Sequence, residues 1–323
     1  MRRPAFIFVL GAVLLAGAAW ASLFALSEHA LHWSHLWQGD GLPALVLREI
    51  RLPRALACAL IGFALAMAGC LLQAVTRNPL ASPHVLGINQ GAALFVAWSL
   101  TLPANGPWLP LPMAMLGAAL GGGFVMLLSG MLRGRSSGVR LVLSGVAVSA
   151  LCAALTDGIV ILNNDQAISV VSFLAGSVDG VTWQKLAGLW PWLLAAGSAC
   201  ILLAQRLNLL MLGEDASHSL GVNVVRLRAV CALLVVVLAG TVVAYVGAIA
   251  FVGLIVPHIA RTLLQRQDFR LLLPLSALLG ASLMLAADAL SRLPRYPFET
   301  PVGIITALLG APLFLYLTWR HRR

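Results

Sequence analysis

The chain has 323 residues, 60% of them hydrophobic and only 10% charged, with a formal net charge of +10 and a mean hydropathy of +0.94. Soluble domains carry about 25% charged residues, so this composition excludes an ordinary soluble enzyme or binding module and indicates a protein dissolved in a lipid bilayer. The positive charge does not indicate nucleic acid as a partner, because the basic residues are scattered at the ends of apolar runs and form no patch.

Met1 to Leu26 opens with Arg2 and Arg3, continues as an apolar run and contains Ala19-Trp20-Ala21, a small-residue pattern shared with signal-peptide cleavage sites. A retained first span is expected, because many further spans follow and a first helix needs the same features. Ser27 to Glu49 reads as an external loop in which His29, His32 and His35 fall three apart beside Trp33 and Trp37. Three imidazoles on one helical face can ligate iron or copper. An interfacial helix with aromatic and histidine side chains at headgroup level gives the same pattern and is the expected reading.

Arg48 to Gly91 organises the rest. After Arg48, Arg51 and Arg54, the run Ala55 to Val75 is long enough to cross a bilayer core as one helix, at about 1.5 Å per residue. Its small residues (Gly62, Ala64, Ala66, Ala68, Gly69) admit other helices close to the backbone, which places it inside a bundle. Thr76 to His84 reads as irregular backbone at a membrane surface, where Pro79 and Pro83 stop one helix and let the next begin. The third span, Val85 to Leu102, carries Asn89 and Gln90, amides that hydrogen-bond neighbouring helices or line a wet path.

Pro103 to Pro112 reads as an external turn, and a fourth span runs to Leu132 through Gly121, Gly122 and Gly123. Arg133 to Arg140, with Ser136 and Ser137, is a basic internal loop. The fifth span, Leu141 to Leu162, spreads Ser144, Ser149 and Thr156 without a strict polar stripe. An external connection, 163–184, is expected to hold a short helix around Ser169 to Ala175, and Leu186 to Ala204 is the sixth span.

Gln205 to Arg228 is too polar to cross. Glu214 and Asp215 open a short helix with acids at its positive end and Gly221 closes it; a plain amphipathic surface helix is the alternative. Ala229 to Leu264 is too long for one span and short for two, with a turn expected at Tyr245 to Gly247 and a second helix weakened by Gly253 and Pro257. His258 near its end reads as a structural hydrogen-bonding group. The ninth span, Arg270 to Leu290, closes on Asp288 and Arg292. A turn holding Arg295 and Glu299 leads to the tenth span, Pro301 to Trp319. The five cysteines (Cys58, Cys70, Cys152, Cys200, Cys231) all lie in apolar runs without metal-ligand spacing and read as packing residues, so no metal site is expected.

About ten spans put both termini on one side. The opposite side then holds only Arg48, Arg51, Arg54, Lys185, Arg292 and Arg295 of the 21 basic residues, which makes the terminal side cytoplasmic. The fold class expected is therefore an all-α polytopic membrane protein with 1–323 as a single transmembrane domain and the cytoplasmic segment 205–228 inserted between spans six and seven.

Several stretches resemble the FecCD-type permeases, the membrane subunits of ATP-driven importers for iron–siderophores, haem and vitamin B12. They are Arg51-Leu52-Pro53-Arg54, Asn78-Pro79-Leu80-Ala81-x-Pro83, Leu86-Gly87-x-Asn89-x-Gly91, Gly247 to Gly253 with Pro257-His258-x-x-Arg261, and Glu299-Thr300-Pro301-Val302-Gly303. The last differs from the family's Glu-Leu-Pro-x-Gly at one position. The resemblance implies a type II importer-like bundle in the bacterial inner (plasma) membrane. Its partners would be a second permease chain (identical or sister), two ATPase subunits that bind ATP and Mg, and a periplasmic binding protein. It implies that Gly213, Glu214, Ala216, Leu220 and Gly221 meet the ATPase, and that arginines at the external face (Arg51, Arg54, Arg292, with Arg295 beside them) meet acidic groups of the binding protein. Asn78, Leu80, Asn89, Gln90, Ser136, Ser137, Ser144 and Ser149 are the expected path residues. In loop and motif detail the chain looks most like the iron–chelate branch, ferric citrate-type in particular, with haem or cobalamin as alternative cargo.

Nothing in the chain matches GxxxxGK[ST], HExxH or a nucleophile elbow, and the single lysine is Lys185. An enzyme, or ATP binding by this chain through that loop, therefore has little support. A proton-coupled secondary transporter is the alternative of another class, with Asp157 and Asp288 as its candidate carriers.

Overall fold

The computed structural model describes residues 2–25, 32–37, 41–102, 109–130, 138–162, 171, 173–294 and 299–320, and all its regular elements are helical. They are α1 (Arg2–Phe24), a 3-10 turn at Trp33–Leu36, α2 (Leu42–Thr76), α3 (Ile88–Thr101), α4 (Pro110–Leu128), α5 (Gly138–Leu162), α6 (Trp183–Leu202), α7 (Ala204–Leu210), α8 (Glu214–Ser219), α9 (Val224–Val246), α10 (Val252–Leu264), α11 (Phe269–Ser291) and α12 (Val302–Arg320). Among the described residues seven helices are long and apolar enough to cross a membrane by length and composition: α1, α2, α4, α5, α6, α9 and α11. The short α7 and α8 occupy the polar segment read from the sequence.

The central element is α2. In its most apolar window 78% of residues are buried, against 22% in α1 and in α5, so α2 is the hub and those two lie outermost. It packs on α11, α9, α10 and α6. Small residues make that possible: a Cβ on Gly62 would sit 2.0 Å from Gly280 O, and one on Gly69 would sit 1.8 Å from Gly253 O. The close approach expected from the small-residue pattern is present, and its partners are α11 and α10.

Three boundaries differ from expectation. Residues 42–49, read as the end of the external loop, instead continue α2 outward. Pro43 sits in the first turn, where its missing N–H costs no helical bond, and a wider π turn spans Val46–Arg51. Next, α9 starts at Val224, inside the segment read as polar, with the Asn223 side chain accepting from Arg226 N at 3.0 Å. That earlier start leaves room for both α9 and a 13-residue α10 that runs through Pro257. Finally, α3 begins at Ile88, after turns that follow the prolines.

Between α9 and α10 the chain is irregular from Gly247 to Phe251, with Gly247 at φ 78° and Phe251 at φ 68°. Irregular backbone among apolar helices is tolerated where protein covers it and satisfies its carbonyls. A buried amide does so here, Asn89 Nδ2 donating to Ile249 O at 3.1 Å, and just beyond it Gln73 Nε2 lies 3.4 and 3.3 Å from the carbonyls of Gly253 and Leu254 in the first turn of α10.

Substituting Gly69 by Leu should cost at least about 1–3 kcal/mol, as overpacking does, because the atom opposing it is backbone. Gly123→Ala, with nothing within 4 Å of the added Cβ, should be neutral. Thermal unfolding of both variants in detergent checks the contrast.

Candidate functional site: the two ends of the bundle

At one end of the bundle, α1, α2 and α11 meet around Asp288, which is fully buried. Arg54 Nε donates to Asp288 Oδ1 at 2.6 Å, Arg292 Nη2 donates to Oδ2 at 2.5 Å, and Ser22 Oγ donates to Oδ2 at 2.6 Å. Arg54 Nη1 also pairs with Glu299 Oε2, while Arg292 Nε lies 3.8 Å from Glu299 Oε1 and has no hydrogen-bond partner among the described residues. The other guanidinium contacts run to the end of α1: Arg51 Nη1 donates to Leu23 O at 3.2 Å and Ala25 O at 2.8 Å, and Arg292 Nη1 donates to Ser22 O at 2.7 Å. These carbonyls belong to the last turn of α1, which has no further helix to satisfy them and carries the negative end of the helix dipole.

Arg51 and Arg54 lie three apart on one face of α2, just past the π turn, which places both side chains toward α1 and α11. The sequence reading expected Arg51, Arg54 and Arg292 at an external surface, free to meet a partner's acids. The structure places them at 9%, 4% and 3% exposure, already paired within the chain. A buried pair keeps its geometry only when its remaining hydrogen-bonding positions are filled, and here α1 fills most of them. Arg295 lies outside the described residues. Asp288, weighed in the sequence as a proton carrier, is instead the anchor of this cluster; Asp157 is exposed.

At the opposite end, α7 and α8 form a compact hairpin. Ser217, fully buried, donates through Oγ to Leu209 O at 2.9 Å and to Gly213 O at 2.5 Å, which ties α8 back onto α7. Gly213 (φ 115°) precedes α8 and Gly221 (φ 79°) follows it, so the expected start and stop of this helix are present. Glu214 Oε1 accepts from Arg228 Nη2 at 2.5 Å, which links α8 to α9. That hydrogen bond and the charge of Arg228 hold the Glu214 carboxyl below its ordinary pKa, so the contact is present at neutral pH and is lost as pH falls through the lowered value. Leu220 is exposed and Ala216 half-buried.

Two residues that sequence reasoning did not single out fasten this hairpin to the bundle. Asn208 on α7 donates through Nδ2 to Asp268 Oδ1 at 2.7 Å and accepts from Phe269 N at 2.8 Å, so it caps the start of α11. The Asn208 hydrogen bond is also the main cause of the lowered pKa of Asp268. Arg77, in the left-handed conformation that ends α2, donates through Nη2 to Leu210 O at 3.0 Å. The sequence showed only that 205–228 is too polar to cross, and nothing in it pointed to Asn208 or to its partner.

Among the expected path residues, Asn78 Oδ1 accepts from Leu80 N at 2.9 Å in a local turn that leaves Leu80 exposed. Asn89 is buried, with Oδ1 unpartnered among the described residues, and Ser149 Oγ is likewise buried and unpartnered. Gln90 and Ser144 are half-buried, while Ser136 and Ser137 lie outside the described residues. His32 N donates to His35 Nδ1 at 3.2 Å in an exposed turn, and His29 lies outside the described residues. The five cysteines are buried and free, with Cys70 Sγ 3.2 Å from Ser276 Oγ.

A helical bundle with seven membrane-length helices, an ion cluster buried at one end and a two-helix polar segment at the other defines a polytopic membrane protein. The chain belongs to the FecCD transport family, whose model matches residues 6–320. It is 40% identical over 335 residues to the Fe(3+) dicitrate transport system permease protein FecC of Escherichia coli (strain K12), covering 99% of both chains. It is 38% identical to the Fe(3+)-citrate import system permease protein YfmD of Bacillus subtilis (strain 168), covering 98% of this chain and 92% of that one. It is also 38% identical to the hemin transport system permease protein HmuU of Yersinia pestis, covering 98% and 95%. A solved metal-chelate type ABC transporter in an inward-facing conformation superposes with a TM-score of 0.84 at 32% identity, covering 98% of this chain and 99% of that one.

Replacing Asp288 by Asn leaves Arg54 and Arg292 buried with Glu299 as their only carboxylate among the described residues, and should cost about 3–5 kcal/mol. Denaturant unfolding in micelles reads this loss, and Asp157→Asn serves as the neutral control.

Proposed function

We propose that this chain is the permease subunit of a binding-protein-dependent, ATP-driven importer that carries an iron(III) chelate, such as an iron–siderophore or ferric citrate, inward across the bacterial inner membrane. The observation that carries the reading is the match along nearly the whole chain, at 38–40% identity, to permeases named for iron(3+)-citrate import. Haem remains the second cargo, on the strength of the 38% identity to a hemin permease. Ten helices (α1 to α6 and α9 to α12) would cross the membrane with both termini in the cytoplasm, consistent with the placement of the basic residues.

In this reading hydrolysis of ATP belongs to a partner, and this chain contributes a path and a coupling surface. A second permease chain would lie against α5 and α12, whose Leu143, Leu151, Leu308 and Leu315 are 69%, 60%, 66% and 67% exposed. The path between the two chains would draw on Asn78, Leu80, Asn89, Gln90, Ser144 and Ser149, with Ser136 and Ser137 at its cytoplasmic end. Two ATPase subunits would seat on Gly213, Glu214, Ala216, Leu220 and Gly221. Their closure moves α7 and α8; Asn208 hands that motion to α11, and Arg77 hands it to the junction between α2 and α3.

The binding protein would dock at the opposite end, over Arg51, Arg54, Arg292 and Arg295. Because Arg54 and Arg292 already face Glu299, a docking carboxylate reaches those two by displacing it; its side chain is 31% exposed against none for Asp288. Docking thus competes with an internal contact, and guanidinium–carboxylate geometry favours such an exchange.

The test is uptake by proteoliposomes holding the permease, its ATPase and its binding protein, offered ferric citrate, a hydroxamate siderophore, haem and cobalamin side by side. ATP-dependent uptake of an iron chelate is expected. With Asn208→Ala, uptake should fall at least about tenfold, the loss of about 1.4 kcal/mol of coupling, while ATP hydrolysis continues. Uptake driven by a proton gradient without ATPase would overturn the reading. Separately, Glu299→Gln should tighten binding-protein docking several-fold in a surface-binding assay, and unchanged or weaker docking would contradict the exchange.

A further inference from the structure

A pocket of about 290 Å³ opens where three helix ends coincide: the end of α2, the end of α10 and the start of α11. Its polar lining includes Arg77, Arg261 and Gln73, and its apolar lining includes Pro79, Met211 and Phe269. Two arginines line this space, and among the described residues no carboxylate does. Arg77 spends one donor on Leu210 O. The Arg261 side chain is half-buried and makes no hydrogen bond or ion pair among the described residues. Gln73, only 4% exposed, turns its Nε2 toward two backbone carbonyls and leaves Oε1 without a partner.

A half-buried cation without a counter-charge is costly unless something supplies one. The helix ends place this one at the depth of lipid headgroups, where basic pockets between spanning helices hold phosphate groups. Apolar walls beside the cations suit the glycerol and first acyl carbons of a lipid.

We propose that this pocket binds an anionic phosphate group, with Arg261 and Arg77 holding the phosphate oxygens. The headgroup of phosphatidylglycerol and free phosphate share this chemistry. The site goes beyond the transport reading and does not depend on the cargo or on which leaflet it faces.

The experiment is thermal unfolding of the purified permease in its complex, titrated with phosphatidylglycerol, phosphatidylcholine or inorganic phosphate in detergent. Phosphatidylglycerol should raise the midpoint of the wild type and phosphatidylcholine should not. Arg261→Gln should weaken that effect about fivefold, the worth of one basic residue near a headgroup, and Arg261→Lys should retain most of it. The unliganded Arg261→Gln protein should unfold at or above the wild-type midpoint, since the Arg261 side chain makes no hydrogen bond or ion pair among the described residues and the substitution removes an uncompensated charge. An equal response to inorganic phosphate would identify free phosphate as the source and keep the site. Equal responses to both lipids and none to phosphate would overturn the proposal, as would a phosphatidylglycerol effect unchanged in Arg261→Gln. Mass spectrometry of co-purified lipid supplies an independent reading: retention of phosphatidylglycerol over phosphatidylcholine supports the site, and indifferent retention together with no response to phosphate overturns it.

Discussion

One fully buried carboxylate holds an entire end of this bundle. Asp288 accepts from Arg54 of α2, from Arg292 just past α11 and from Ser22 of α1, so three helices far apart in sequence share a single charge. Apolar packing is nearly indifferent to a small rotation or slide of one helix along another, particularly in lipid, where helix surfaces and solvent are equally greasy. A buried guanidinium–carboxylate pair is not indifferent, because moving either group leaves a charge uncompensated. The ion cluster therefore sets the register that the glycine contacts along α2 then exploit.

The two ends of the molecule are built on different energetics. At the Asp288 end the contacts are ionic and buried. At the α7–α8 end they are hydrogen bonds from Asn208, Arg77 and Ser217 together with the Glu214–Arg228 pair, partly open to water and individually worth about 0.5–3 kcal/mol. A segment held that way can shift without unfolding the bundle, which suits a surface that another subunit pushes. Between them α2 and α11 run the length of the molecule as packed neighbours, with Gly62 against Gly280.

Much of this was legible in the sequence. Composition gave the membrane class, the run Ala55 to Val75 with its glycines marked the central helix, and Glu214 with Gly221 bounded the short polar helix. What sequence could not reveal were partners. Arg54 and Asp288 are 234 positions apart, and an arginine at a helix end looks the same whether it faces water or a buried acid. The start of α2 at Leu42 was hidden because Arg48 and Glu49 read as the end of a loop and Arg51 as the edge of the span, whereas the fold carries the helix through all three and buries Arg51 against the carbonyls at the end of α1. Asn208 and Gln73 were invisible for a related reason: each satisfies backbone groups of a distant segment, and backbone needs leave no mark on composition.

The claim on which the account rests is that Asp288, rather than apolar packing alone, joins α1 to α2 and α11. Amide hydrogen exchange of the wild type and of Asp288→Asn, peptide by peptide in the same detergent, tests it most directly. Faster exchange confined to the last turns of α1 and α11 and the first turns of α2, with α7 to α9 unchanged, is the predicted result. Unchanged protection around Ser22, Arg54 and Arg292 would contradict it, and would mean that the helices hold their register without the charge.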